Sequence, residues 1–312
     1  MTDPRVLLHV GFHKAGSSWL EAWLTRHSQV RFSAPTFGGL QGPLDLCREV
    51  NREGPAPRLH AISEENLTGG LVFPEGYFYL LLRHQGFHKR ASGIPAHQDR
   101  IAARLHALFP GAHVLLITRG FAGALRSVYS QVVRMGGDLP FEDFLHEYER
   151  QIADWLAYDR VIDAYRRRFG RESVTVLPFE ALAEDEANFG RSLECLLGLD
   201  HEEIRIGRVL PSLSPLQLSA YARFSHRVLA PVARHLRNYR AMQMYLLYAR
   251  FIVDRPFADA LVRAVFGPRG GAATPEVPAS YLERFRGTAT ALGSIPAFDR
   301  YRAAYLLDDA AT

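Results

Sequence analysis

The chain has 312 residues, 47% hydrophobic and 22% charged, with a formal net charge of +4. That length can bury a sizeable core, and the balance is that of a globular protein rather than a disordered or fibrous one. A modest positive charge without a dense Lys/Arg run suits an anionic small molecule and does not argue for nucleic acid, which is not an expected partner. Cys47 and Cys195, the two cysteines, form no CxxC or Cys/His cluster, which argues against a disulfide framework and a zinc site.

In chain order, the pattern predicts a strand over 5–10, a helix over 17–27, a strand over 30–33, a helix near 42–50 and a strand over 59–63. A helix over 97–109, a strand over 113–118 and a helix over 121–135 follow. A long helical region at 141–169 then leads to a strand over 173–178. Alternation of this kind predicts an α/β fold: a three-layer, P-loop-like arrangement with a central parallel sheet and helices on both faces. After residue 200 the pattern turns helical, near 214–229, 231–251, 256–266 and 279–291, with a surface loop at 267–278. One domain is expected, its core at about 1–200 and a helical elaboration at about 201–312.

The chain enters its first strand without a leader-like segment, and no apolar run reaches the ~20 residues that a membrane span needs. Cytoplasmic localisation is the expectation. The stretch MQMYLLYARFIV from Met242 reads as a buried helix, with peripheral membrane contact as the alternative.

Residues 5–19, RVLLHVGFHKAGSSW, predict a buried strand, a tight turn and a helix start. A Walker loop needs Gly, four spacers, then Gly-Lys-Ser/Thr. Gly11, Gly16 and Ser18 stand where that pattern wants them, but Ser17 takes the lysine position and the only lysine is Lys14. Gly16 permits the turn, amides of residues 14–18 can converge on oxygen atoms, and the helix N-terminus adds positive potential. The loop can hold an anion but lacks the usual lysine contact to a nucleoside triphosphate. Taken alone, Gly-Ser-Ser can also be an ordinary N-cap in which a serine accepts from the helix.

HVGFHKAGSSWLEAWL resembles the 5′-phosphosulfate loop of the sulfotransferases that use 3′-phosphoadenosine 5′-phosphosulfate (PAPS), in particular bacterial members whose loop reads His-Lys-Thr-Gly-Thr-Thr. Ala15 replaces the first of those threonines, so one hydroxyl contact is missing. The resemblance implies cosubstrate contacts from Lys14, Ala15, Gly16, Ser17, Ser18 and Trp19. HVLLITRGFAGALRSVYSQ, residues 113–131, resembles the same family's 3′-phosphate motif, an arginine at a strand end and a serine eight residues on, here Arg119 and Ser127. A bidentate arginine and a hydroxyl two helical turns along can both reach one phosphate.

Sulfuryl transfer to an alcohol also needs a base. HAISEENLTGG, residues 60–70, resembles a bacterial sulfotransferase segment in which a glutamate follows the strand, and Glu65 matches it. Glu64 and His13 are the alternative bases, whereas His9, inside the strand, reads as a core histidine. Phe179-Glu180 resembles a family pair that precedes a helix, with Glu180 as support. RVLPSLSP, 208–215, weakly resembles a family segment near the nucleotide, although Ser214-Pro215 reads equally well as a helix cap. The expected activity is sulfuryl transfer from PAPS to a hydroxyl, on a carbohydrate or glycolipid, without a metal. A P-loop nucleotide kinase and a non-catalytic nucleotide- or glycan-binding module are the rival readings. The oligomeric state is left open.

Overall fold

The computed structural model describes residues 5–33, 57–64, 93–207, 212–236, 238–253, 255–268 and 271–307. Five strands, β1 (Arg5–His9), β2 (Val30–Ser33), β3 (Leu59–Ser63), β4 (His113–Thr118) and β5 (Val174–Pro178), form one all-parallel sheet in the order β2-β3-β1-β4-β5. Parallel strands need crossovers that cover the sheet, so the central strands read as unbroken apolar runs. In β4, Val114, Leu115, Leu116 and Ile117 are all fully buried.

The crossover helices include α1 (Ser17–Arg26), α2 (Ile94–Leu108), α3 (Phe121–Arg134), α4 (Phe141–Glu147), α5 (Glu149–Trp155) and α6 (Tyr158–Phe169). Helix α1 packs on β2 and β3, and α6 on β4 and β5. After β5 come α7 (Phe179–Glu184), α8 (Glu186–Leu197), α9 (Pro215–Phe224), α10 (Ala230–Arg234), α11 (Asn238–Tyr248), α12 (Pro256–Phe266) and α13 (Ala279–Leu282).

The expected strands are present within a residue of their boundaries. The expected helix near 42–50 lies outside the described residues. Three helical expectations need correction. The region 141–169 is three helices, because Tyr148 and Leu156 leave helical geometry at φ/ψ of −109/19° and −87/12°. The stretch 231–251 breaks between α10 and α11, and π-helical turns follow α9 at 225–229 and α11 at 249–253. The helix expected over 279–291 stops at Leu282 and continues as 3₁₀ turns. Gly287 has φ 80°, and the Asp159 carboxylate accepts from the Thr290 and Ala291 amides at 2.8 and 2.9 Å, which starts a new turn there. A side-chain carboxylate from a distant helix is invisible to local periodicity.

The sheet order reverses direction beside β1: its connection leads to β2 and β3 on one side, while β4 and β5 lie on the other. In open parallel sheets the crevice beyond the strand ends at such a switch point is where ligands bind. Here the loops after β1 and β4 flank it.

Candidate functional site

The loop after β1 is pinned by backbone bonds that extend β1 along β4, from Val10 N to Leu115 O at 3.2 Å and from Phe12 N to Ile117 O at 3.5 Å. It then turns sharply. Ala15 N donates to Phe12 O at 3.2 Å, Lys14 adopts left-handed φ 63°, and Gly16 follows at φ 91°. A β-carbon on Gly16 would also press on Leu182 Cδ2 at 3.0 Å and Phe179 Cδ2 at 3.1 Å, so both conformation and space require glycine.

Gly16 is the N-cap of α1 and no side chain caps it. Ser17 is therefore the first helical residue, and the ordinary serine-cap reading of Gly-Ser-Ser does not hold. The first-turn amides of Ser17, Ser18 and Trp19 have no intrahelical acceptor, as at every helix start, and they sit at the positive end of the helix dipole. The Ala15 N–H is engaged within the turn, by its bond to Phe12 O.

Arg119, the first residue past β4, reaches across the switch point and donates from Nη1 to Lys14 O at 2.8 Å. Its guanidinium carbon lies 4.4 Å from the centre of the Phe179 ring. Burial lowers its pKa from the usual arginine range, opposed by the charge of Glu180 and by Tyr158 and Tyr305. Glu180 Oε1 accepts from the Gly120 amide at 2.9 Å and Oε2 from Tyr305 Oη at 2.7 Å, while Tyr158 Oη donates to Arg119 O at 2.5 Å. Glu180 is thus a support residue for the Arg119-Gly120 turn. Burial followed by the Glu180 charge raises the Tyr305 pKa well above its usual value, so the phenol stays a donor. Gly120 is needed for close approach, because a β-carbon there would lie 2.6 Å from Ala304 Cβ.

Ser127 is buried in α3, one helical turn before Gln131, whose Oε1 accepts from Lys14 Nζ at 3.4 Å. One face of α3 thus passes both the lysine and the predicted phosphate serine. Glu64 extends the β3 end, its amide donating to His9 O at 3.1 Å. His9 Nδ1 lies 2.8 Å from Ser63 Oγ, which donates to Glu21 Oε1 at 3.0 Å, so His9 is the buried core histidine expected. His13 is buried in the loop. The side chain of Trp19 braces a different contact: its indole N–H donates to Glu186 Oε1 at 3.0 Å, and Glu186 also holds the Ile206 and Gly207 amides.

Glu65, the first choice as base, lies outside the described residues, as does Arg208. Ser214 caps α9 in a reciprocal capping box with Gln217. Lys14, Arg119, Gly16, Ser17, Ser18 and the β3 end are gathered around one switch point. Gln131, Tyr158 and Tyr305 also contact Lys14, Arg119 or its support Glu180 and carry no motif in the sequence, whereas Phe179 was marked only through its pairing with Glu180. Among the described residues no group of three or more His, Cys, Asp or Glu could hold a metal ion.

Chemically, the arrangement offers the Lys14 ammonium, hydroxyls and first-turn amides on one side, and the largely buried Arg119 guanidinium on the other. Two anionic groups on one molecule suit such a pair of cradles.

A family model described as "Sulfotransferase family" matches residues 7–203. Among solved structures, the chain is similar to a sulfotransferase from Alicyclobacillus acidocaldarius, with 19% identity over 78% of this chain and 96% of that chain and a TM-score of 0.45. No curated protein matches significantly.

Proposed function

Since the chain belongs to the sulfotransferase family, whose model spans both the Lys14 loop and the Arg119 turn, we propose that its sulfuryl donor is PAPS and its acceptor a hydroxyl on a carbohydrate or glycolipid. The observation that carries this reading is the bond from Arg119 Nη1 to Lys14 O, which joins the two anion-binding loops across the switch point. A nucleotide bearing anionic groups at both its 5′ and 3′ ends requires that pairing.

In this mechanism the acceptor oxygen attacks sulfur in line, forming the new O–S bond as the bond from sulfur to the phosphate oxygen breaks. Glu65 takes the acceptor proton. Lys14 and the first-turn amides of α1 stabilise the charge that develops on the leaving phosphate oxygen, and Arg119 with Ser127 holds the 3′-phosphate. The products are the sulfate ester and 3′-phosphoadenosine 5′-phosphate (PAP).

The base is testable against its two alternatives. Glu65→Gln is expected to lower kcat about 10²- to 10⁴-fold with PAP affinity unchanged, whereas Glu64→Gln and His13→Asn retain most activity. The opposite ranking in single-turnover assays would move the role to Glu64 or His13.

The donor itself is tested by calorimetric titration with PAP, AMP and ATP with Mg²⁺. Tight binding of PAP over AMP is the expected result. Preference for ATP with Mg²⁺ would overturn the reading in favour of a phosphotransferase, and PAP binding without turnover across acceptors would favour a binding module.

A further inference from the structure

Helix α12 carries apolar residues on its exposed face as well as its buried one. Its polar groups face the protein, where Asp259 Oδ1 accepts from Gln217 Nε2 and Tyr221 Oη, each at 3.0 Å, and Asp259 Oδ2 accepts from Arg263 Nε at 2.8 Å. Val262 and Phe266 also face the protein, Phe266 packing edge-on against Phe224, yet three further large apolar side chains face solvent. Phe257, Leu261 and Val265 recur every four residues and are 83%, 55% and 62% exposed, with Ala260 and Ala264 on the same exposed stripe. A surface helix ordinarily buries that stripe and exposes its charges. Neighbouring elements expose apolar residues too: α12 packs against the π-helical turn at 249–253, which exposes Phe251, and that turn packs on α11, which exposes Leu247 and in turn packs on α10, which exposes Val232.

The charge of this region selects its occupant. Residues 215–268 contain eight arginines, no lysine and two aspartates, an excess larger than the +4 of the whole chain. Arg227, Arg234, Arg240 and Arg250 are exposed, while Asp259 is turned inward. A two-fold contact with a second copy would set this arginine band against itself, with like charges in register. An anionic phospholipid leaflet answers both features, since the apolar stripe enters the headgroup and acyl boundary while guanidiniums meet the phosphates. Among the described residues no helix is long and apolar enough to cross a membrane, so the geometry is that of an element lying on the surface. From these observations we infer that the face formed by α10, α11 and α12 docks the protein onto an anionic lipid leaflet.

The face shares no residue with the Lys14 and Arg119 loops, so its test stands apart from the nucleotide titration. The full chain is sedimented with phosphatidylcholine vesicles and with vesicles of equal parts phosphatidylcholine and phosphatidylglycerol. Binding to the anionic vesicles only, weakening with added salt, is expected. The double variant Phe257→Glu with Leu261→Glu should lower vesicle affinity at least ~10-fold, and Arg227→Glu with Arg250→Glu should remove the preference for phosphatidylglycerol. All four positions are exposed, so unchanged melting temperatures are expected. Absence of binding to either vesicle, binding indifferent to the variants, or a concentration-dependent dimer that the Phe257/Leu261 variant abolishes would each overturn the inference, the last in favour of a second copy.

Discussion

Lys14→Ala is expected to lower kcat about 10²- to 10³-fold, the range for removing one preorganised cation or donor from a site of developing charge. Lys14 sits in the turn at left-handed φ 63°, a conformation costing a non-glycine residue roughly 1 kcal/mol, and alanine carries the same cost. The variant therefore changes the charge without changing the backbone demand. Its Nζ is aligned by Gln131 Oε1 at 3.4 Å, which keeps the ammonium over the turn. Charge on the leaving phosphate oxygen exists mainly in the transition state, so the loss should fall on kcat more than on nucleotide affinity. Single-turnover rates with PAPS, together with PAP titration, separate the two. A Lys14→Ala protein with wild-type turnover would end the assignment of the loop.

Arg119→Ala is expected to weaken PAP binding about 10- to 100-fold and to leave AMP binding nearly unchanged, so that selectivity for the 3′-phosphate disappears. The magnitude follows from hydrogen bonds to charged groups, each worth ~1.5–3 kcal/mol. Arg119 also supports the fold through Lys14 O and the Phe179 ring, so a fall in affinity for every nucleotide would signal collapse of the loop instead. Arg119→Lys distinguishes these cases, because it keeps the charge and loses the planar fork. It should recover part of the PAP affinity but not the full preference over AMP. Equal PAP affinity in wild type and Arg119→Ala would place the 3′-phosphate elsewhere.

Much of the sheet was legible because its signals are local. The apolar run of β4 and the turn glycine at 16 each predict their own conformation, and the two motifs carry their chemistry within about twenty residues apiece. The supports of Arg119 were less legible. Glu180 was marked only by family likeness, and nothing marked Tyr305, which meets Glu180 at 2.7 Å from 125 positions further along the chain. The same holds for Trp19, which stands beside the loop serines in sequence but directs its indole to Glu186.

By itself the sequence determined the strands of the sheet, the glycine turn after β1 and the position of Arg119 at the end of β4, because periodicity and a required glycine act at short range. Only the tertiary structure decided that Arg119 would close onto the Lys14 carbonyl, that Gly120 would lie beneath Ala304, and that α12 would leave Phe257, Leu261 and Val265 exposed. Those outcomes depend on which distant side chains arrive at the same place, and packing between remote segments leaves no periodicity in either of them.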